Sequence, residues 1–236
     1  MTQRKRTAIL ISGRGSNMAR LIDAAAERDF PAEIVAVISD KPDAQGLSIA
    51  KARGIATHAI ARKDFANKQA HDAAIDAVLA SSGAEIVCLA GYMRLLTAQF
   101  VEKWRGRMIN VHPALLPLFK GLDSHRRALE AGMLLHGATV HFVTPETDDG
   151  PIIAQAAVPI LPGDTEDALA ARVLTAEHQI YPMALRMLAE GKVRMDGNRT
   201  VFSSAWRAED YDGAMVVSPP KSPQPEDIER LARITP

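Results

Sequence analysis

The chain has a single cysteine, Cys88, in 236 residues, so no internal disulfide can form and a hydrophobic core must hold the fold together. Cys88 sits inside the apolar run Ile86-Val87-Cys88-Leu89-Ala90, where a thiol serves as a small core residue rather than a nucleophile. An excess of either charge is missing too, since Lys plus Arg and Asp plus Glu are 28 each. That excludes the broad basic field of a nucleic-acid binder but not a local cationic pocket. No stretch approaches the ~20 apolar residues that span a bilayer. The apolar run after the basic segment Met1–Thr7 is far too short for a signal sequence. Metal-ligand spacing is lacking as well: there is no His-Glu-x-x-His or Cys-x-x-Cys. His136 and His141 lie an odd number apart in one alternating stretch and face opposite ways. The expectation is a soluble cytoplasmic protein with no metal, no nucleic-acid partner and no membrane partner.

What remains is an ordinary globular composition, 47% hydrophobic and 24% charged. The length fits one large α/β domain or two small ones. Thr7–Ser12 is a short apolar run of the kind found in buried parallel strands. It breaks at Gly13-Arg14-Gly15-Ser16-Asn17, after which Met18, Leu21, Ile22 and Ala25 keep helical spacing. Strand, glycine turn and helix start together present backbone N–H groups and a helix dipole to an anion. This is no nucleotide P-loop, and the third glycine of a dinucleotide fingerprint is replaced by Met18. The plainer account is a tight turn capped by Ser16 or Asn17.

Glu33–Asp40 reads as a second strand, with Asp40 either a ribose-binding acid or part of the turn Lys41-Pro42-Asp43. A helix from Gly46 to Arg53, a strand near Ile55–Ala59, a helix capped by Asp64 and ending near Ser82, and a buried strand Ala84–Ala90 follow. Tyr92-Met93-Arg94-Leu95-Leu96 comes next, open to a core-packing account with Arg94 at the surface. Thr97–Trp104 is helical, Ser124–Ala131 a short helix, and His136–Thr144 and Ile152–Ile160 are strands. Thr165 caps the longest helix, which Pro182 should kink or divide. Asp196-Gly197-Asn198 separates the arms of a small hairpin.

Reactive polar residues concentrate between Arg107 and Pro151. In the alternating segment Met108-Ile109-Asn110-Val111-His112, Asn110 and His112 share a face and Ile109 and Val111 pack behind them. Pro113 ends the strand, which leaves an amide and an imidazole at its carboxyl end, where open α/β sheets bind ligands. Asp148-Asp149-Gly150-Pro151 is a turn signal carrying two carboxylates, one of which could orient His112 and favour its charged form. Capping and turn-making alone would also explain these residues.

The segments Asn110–Pro117, Gly121-Leu122-Asp123-Ser124-His125, His136-Gly137, Val140-His141 and Asp148–Pro151 resemble, in order, the signature of folate-dependent formyltransferases, in particular the purine-pathway branch. The resemblance covers residues 6 to 204. It implies transfer of a formyl group from 10-formyltetrahydrofolate to the amine of glycinamide ribonucleotide, with Asn110, His112 and Asp148 as the catalytic group. The loop carrying Gly13, Gly15, Ser16 and Asn17 is similar to the one that holds the ribonucleotide phosphate, and Glu177 matches a ribose-binding acid. Tyr92, Met93, Arg94, Leu95 and Leu96 match the loop lining the folate pocket, with Asn110 beside it. Lys68 stands where the family usually has an arginine near the folate tail, which keeps the charge but loses the bidentate fork.

The expected architecture is one α/β domain, residues 1–204, with a Rossmann-like, mixed but mostly parallel sheet and helices on both faces. Residues 205–236 form a proline-rich, partly flexible extension with four prolines between Pro219 and Pro225. The oligomeric state is not encoded in any of these signals. A 10-formyltetrahydrofolate hydrolase, another folate-dependent formyltransferase and a non-catalytic nucleotide-binding regulator remain as rivals. If the tail lies outside the working unit, a chain ending at Ala208 folds and turns over almost normally. A folded but inactive truncation would assign the tail to the site.

Overall fold

The computed structural model describes residues 3–203, so the expected extension lies outside the described residues. Seven strands form one sheet: β1 (Lys5–Ile11), β2 (Ala32–Ser39), β3 (Thr57–Ala59), β4 (Ile86–Leu89), β5 (Met108–His112), β6 (Leu135–Phe142) and β7 (Ile152–Pro159). Their order is β3-β2-β1-β4-β5-β6-β7. The pairs from β3 to β5 are parallel, whereas β6 runs against β5 and β7 against β6. This is the mixed, mostly parallel sheet the sequence predicts. β8 (Val193–Asp196) and β9 (Arg199–Phe202) make the separate hairpin.

The helices are α1 (Ser16–Ala26), α2 (Gln45–Ala52), α3 (Lys68–Ser81), α4 (Ala98–Lys103), α5 (Ser124–Glu130) and α6 (Glu166–Ala189). Alternate residues of the strands feed two cores. Ile9, Ile11, Cys88, Ile109 and Val111 pack with Met18 and Leu21 of α1 and Val173, Ile180 and Tyr181 of α6. On the other face Ala8, Leu10, Val87 and Leu89 meet Ile75 and Leu79 of α3 and Phe100 and Val101 of α4. Burial on both faces is why these strands read as continuous apolar runs. Cys88 is fully buried, and burial pushes its thiol up to about 12, as expected of a core residue. Among the described residues no helix is long and apolar enough to cross a membrane.

Two local expectations are corrected. Asp64 does not cap the long helix; it ends a 3-10 turn at Arg62–Asp64, and Asn67 caps α3 by accepting the Ala70 N–H at 2.8 Å. The extra turn moves the helix start three residues on. Nor does Pro182 divide α6, which runs unbroken for 24 residues. Its buried face, including Val173, Ile180, Tyr181, Ala184 and Leu185, outweighs the roughly 3 kcal/mol that an interior proline removes. Thr165 caps this helix as predicted, accepting the Ala168 N–H.

The chain starts in the middle of the sheet, winds out to β3, and crosses back to β4. The switch point therefore falls between the carboxyl ends of β1 and β4, where an open α/β sheet has its crevice. Farther along, β6 and β7 pack so closely that a Cβ on Gly137 would lie 2.0 Å from the Ala156 carbonyl oxygen. Gly137→Ala should therefore lose about 2 kcal/mol of stability, within the usual range for overpacking. Urea unfolding measures it, and an unchanged midpoint would contradict this strand contact.

Candidate active site

One face of the sheet is left without a helix over β5 and β6, and two loops cover it instead. The first follows β5, and its backbone polar groups find partners on the strands beneath. Leu116 N–H donates to the Thr139 hydroxyl at 3.1 Å, that hydroxyl donates to Ala114 O at 2.7 Å, and Gln155 donates to Leu116 O at 2.9 Å. Polar residues in the middle of these strands thus satisfy a loop that could not be buried otherwise. The second loop, between β6 and β7, folds back over the same face. Gly150 permits this, because a Cβ there would fall 1.7 Å from the Phe142 carbonyl oxygen.

Asn110 and His112 do share this face, and Asp148 comes down on them from the second loop. Its Oδ2 is 3.3 Å from His112 Nδ1 and accepts the Gly121 N–H at 2.9 Å. Its Oδ1 is 3.7 Å from His141 Nε2. Asp148 holds φ 51° and Phe119, in the facing loop, φ 56°. For residues other than glycine that conformation costs roughly 1–2 kcal/mol each. Asp149 points outward to an ion pair with Lys120 across the two loops. The inner carboxylate is therefore Asp148, in the register expected.

His141 completes the cluster and was not singled out as a site residue. It faces Asn110 directly across the β5–β6 pair. Its Nδ1–H donates to the Phe142 carbonyl at 2.8 Å, leaving Nε2 to accept from Asn110 Nδ2 at 3.2 Å. Only the antiparallel register, invisible in the sequence, could have revealed it. His136 occupies the other face against the His125 ring, so the two histidines separate as the odd spacing requires. Among the described residues no group of three or more His, Cys, Asp or Glu is placed to hold a metal ion.

Electrostatically the cluster favours a neutral ring and a charged carboxylate. Burial lowers the His112 pKa below its ordinary 6.5. The Phe119 carbonyl, which accepts His112 Nε2–H at 3.0 Å, and the Asp148 charge oppose the shift without reversing it. The expectation that a carboxylate supports the imidazolium is correct in sign, but burial wins. Burial pushes Asp148 up, yet hydrogen bonds from His141 and Gly121 N–H and the nearby histidine charges leave it below the usual carboxylate range.

At the switch point, the Gly13–Asn17 loop leaves β1 with Gly15 at φ 75° as the residue before α1. No side chain caps this helix, contrary to the Ser16 or Asn17 cap of the plainer account. Its first N–H groups are thus available to an anion. Gly15 is packed against Gly46, whose Cα would be 3.0 Å from an added Cβ. Asn17 donates to the buried Glu177 carboxylate at 2.5 Å, while its own Oδ1 is buried without a partner. Burial raises the Glu177 pKa, and Asn17 offsets part of that rise.

Across the crevice, the loop after β4 exposes Met93 and Leu95 at 67% and 69%. Tyr92 is buried, and Arg94 is half-exposed with its Nε on Asp40 at 2.8 Å. Asp40 is therefore committed to Arg94 and Ser12 rather than to a turn or a ribose. Lys68 Nζ donates to the Leu96 carbonyl at 2.9 Å, so it sits at this loop. A cavity of about 480 Å³ adjoins Asp148 on its other side, lined by Leu116, Pro117, Ile152 and Arg199 among others.

Comparison with known proteins agrees with this arrangement. The family described as "Formyl transferase" matches residues 5–185. A phosphoribosylglycinamide formyltransferase from Haemophilus influenzae is 44% identical over 194 residues, covering 82% of this chain and 92% of the relative. A trifunctional purine biosynthetic protein adenosine-3 from Bos taurus is 48% identical over 208 residues. That match covers 88% of this chain but only 20% of the longer relative. The crystal structure of a phosphoribosylglycinamide formyltransferase from Brucella melitensis has a TM-score of 0.77 and 59% identity, covering 79% of this chain and 96% of that one.

Histidine-resolved NMR titration tests the electrostatics. His112 should titrate below 6.5, and His136, which burial and the neighbouring His125 push down to about 4, should titrate lower still. Asp148→Asn should move His112 further down and leave His136 in place. An upward shift of His112 in that variant would contradict the geometry described above.

Proposed function

The chain belongs to the formyl transferase family, and from that premise we propose that it transfers the formyl group of 10-formyltetrahydrofolate to the amine of glycinamide ribonucleotide, a step of purine biosynthesis. The observation that carries this reading is the Asn110–His141–Asp148–His112 cluster beside two loops of complementary chemistry. We place the working unit at residues 1–204, with 205–236 as an extension.

Both ligands fit their loops. An uncapped helix start behind Gly13, Gly15 and Ser16 suits a phosphate, and the buried, unpartnered Asn17 Oδ1 beside Glu177 suits ribose hydroxyls. Tyr92, Met93, Arg94, Leu95 and Leu96 offer exposed apolar side chains and backbone groups to a flat heteroaromatic ring, with Asn110 beside them. Lys68 supplies a cation near the acidic tail of the folate.

The folate supplies an activated formyl carbonyl, and the ribonucleotide amine is itself the nucleophile, so no serine or cysteine needs activation. The chain's residues position the two reactants and handle one proton. His112, neutral before reaction, takes the proton from the attacking amine and returns it to the departing folate nitrogen. In between, the imidazolium and the Asn110 amide face the oxygen on which negative charge develops. Asp148 orients the ring and stabilises it while charged. A new carbon–nitrogen bond forms, the old one breaks, and the proton moves from one nitrogen to the other.

Incubating pure protein with 10-formyltetrahydrofolate, with and without the ribonucleotide, tests the reading. Formylated ribonucleotide and tetrahydrofolate should appear only when both are present. Formate release without ribonucleotide would indicate a hydrolase, and nucleotide binding without turnover a regulator. Asp148→Asn should lower kcat by about 10²–10⁴-fold, the span of a general acid–base step. The ribonucleotide KM should move little, because the phosphate is held at the Gly13–Asn17 loop. Asp149→Asn is the control and should keep its turnover; loss in that variant alone would place the role on the outer carboxylate.

A further inference from the structure

We propose that Ser12 and Asp40 are positioning residues that set the shape of the folate slot, an assignment that rests on reading the loop 92–96 as that slot. Ser12 ends β1 and is almost completely buried, and the Asp40 carboxylate has no exposed surface. The Ser12 hydroxyl donates to Asp40 Oδ1 at 2.5 Å and accepts the Met93 N–H at 2.8 Å. The other Asp40 oxygen accepts Arg94 Nε at 2.8 Å. Met93 and Arg94 are adjacent in the chain, so these contacts close a ring: Ser12, Asp40, Arg94, Met93 and back to Ser12. The Ser12 N–H also donates to Gly91 O at 3.1 Å, which fixes the start of the same turn.

A buried carboxylate is unfavourable unless each oxygen has a donor, and here each does. As a source of stability the arrangement is poor, because the Arg94 side chain is 51% exposed and a solvent-screened pair contributes little. As a placement device it is effective. Gly91 at φ 72° opens the loop with a flexible residue, and Met93 and Leu95 project into solvent on either side of Arg94. Nothing apolar holds those two side chains. The ring fixes the backbone N–H of Met93 and the position of Arg94, and so the two walls a flat ligand would lie between. The ribonucleotide loop is braced separately, through Gly46 N–H to Gly13 O at 3.1 Å and through Asn17 to Glu177. Opening the ring should therefore loosen one ligand and spare the other.

The test compares Ser12→Ala, Asp40→Asn and the double variant with the wild-type chain. KM for 10-formyltetrahydrofolate should rise about tenfold in each single variant, the lower end for losing a hydrogen bond to a charged group. The ribonucleotide KM should stay within about twofold, inside the scatter of independent sites. Amide exchange at Met93 should quicken in Ser12→Ala. The double variant should be no worse than the poorer single variant, because one break already opens the ring. If Asp40→Asn does not fold, Ser12→Ala alone carries the comparison. Folded variants with a wild-type folate KM would overturn the proposal. So would equal rises in both KM values together with lowered melting temperatures, which mark general damage. If the wild-type chain itself shows no saturation with 10-formyltetrahydrofolate, the reading of the slot fails, whatever the variants do.

Discussion

The site depends on a reversal of chain direction at β6. Parallel strands are joined by crossover helices, and those helices cover both faces of the sheet they connect. Because β6 runs against β5 and β7 against β6, no crossover helix is available to cover this part of the sheet on the α3–α4 side. Loops must do so, and loops bring unsatisfied backbone groups with them. Thr139 and Gln155 exist in mid-strand to meet those groups, while Asn110, His112 and His141 occupy what is left of the face. The left-handed backbone at Asp148 and the bare Cα of Gly150 follow from the need to fold the second loop back over the strands.

The electrostatics follow from the same cover. Because the loops bury the histidines, the ring of His112 is held neutral, and because they also bring N–H groups to Asp148, the carboxylate is held charged. Two ionisable groups 3.3 Å apart are thereby biased in opposite directions, one to lose a proton and one to stay without it. The Phe119 carbonyl and the Asp148 carboxylate flank His112, so a second proton on the ring is met by acceptors on both sides.

Much of this was legible in the sequence because burial on two faces leaves continuous apolar runs, and β1, β4 and β5 were read from them with errors of at most two residues at an end. The shared face of Asn110 and His112 follows from strand periodicity alone. What escaped depends on pairings between distant elements. His141 joins the cluster through a cross-strand register that no local pattern carries. Ser12 looked like the last residue of a strand and Asp40 like a turn, because their link to Arg94 spans 54 residues from Asp40. The misplaced cap at Asp64 has a different cause: Asp64 and Asn67 are both good caps, and only the intervening 3-10 turn chooses between them. Pro182 was overweighted because local propensity ignores the tertiary burial that carries a helix through it.

The contacts around the two ligand loops differ in how much chain they enclose. Asn110 meets His141 across 31 residues and Asp148 meets Gly121 across 27, whereas Asn17 meets Glu177 across 160. Closing the longer loop costs about 1–1.5 kcal/mol more in chain entropy. The proton-handling cluster is therefore a nearly local unit, assembled by one pair of antiparallel strands and the loops beside them. The anion-binding corner exists only once the first helix and the last have met. During folding the reactive groups can find one another before the chain can grip a substrate, and an amino-terminal fragment that ends before Glu177 lacks one side of that corner entirely.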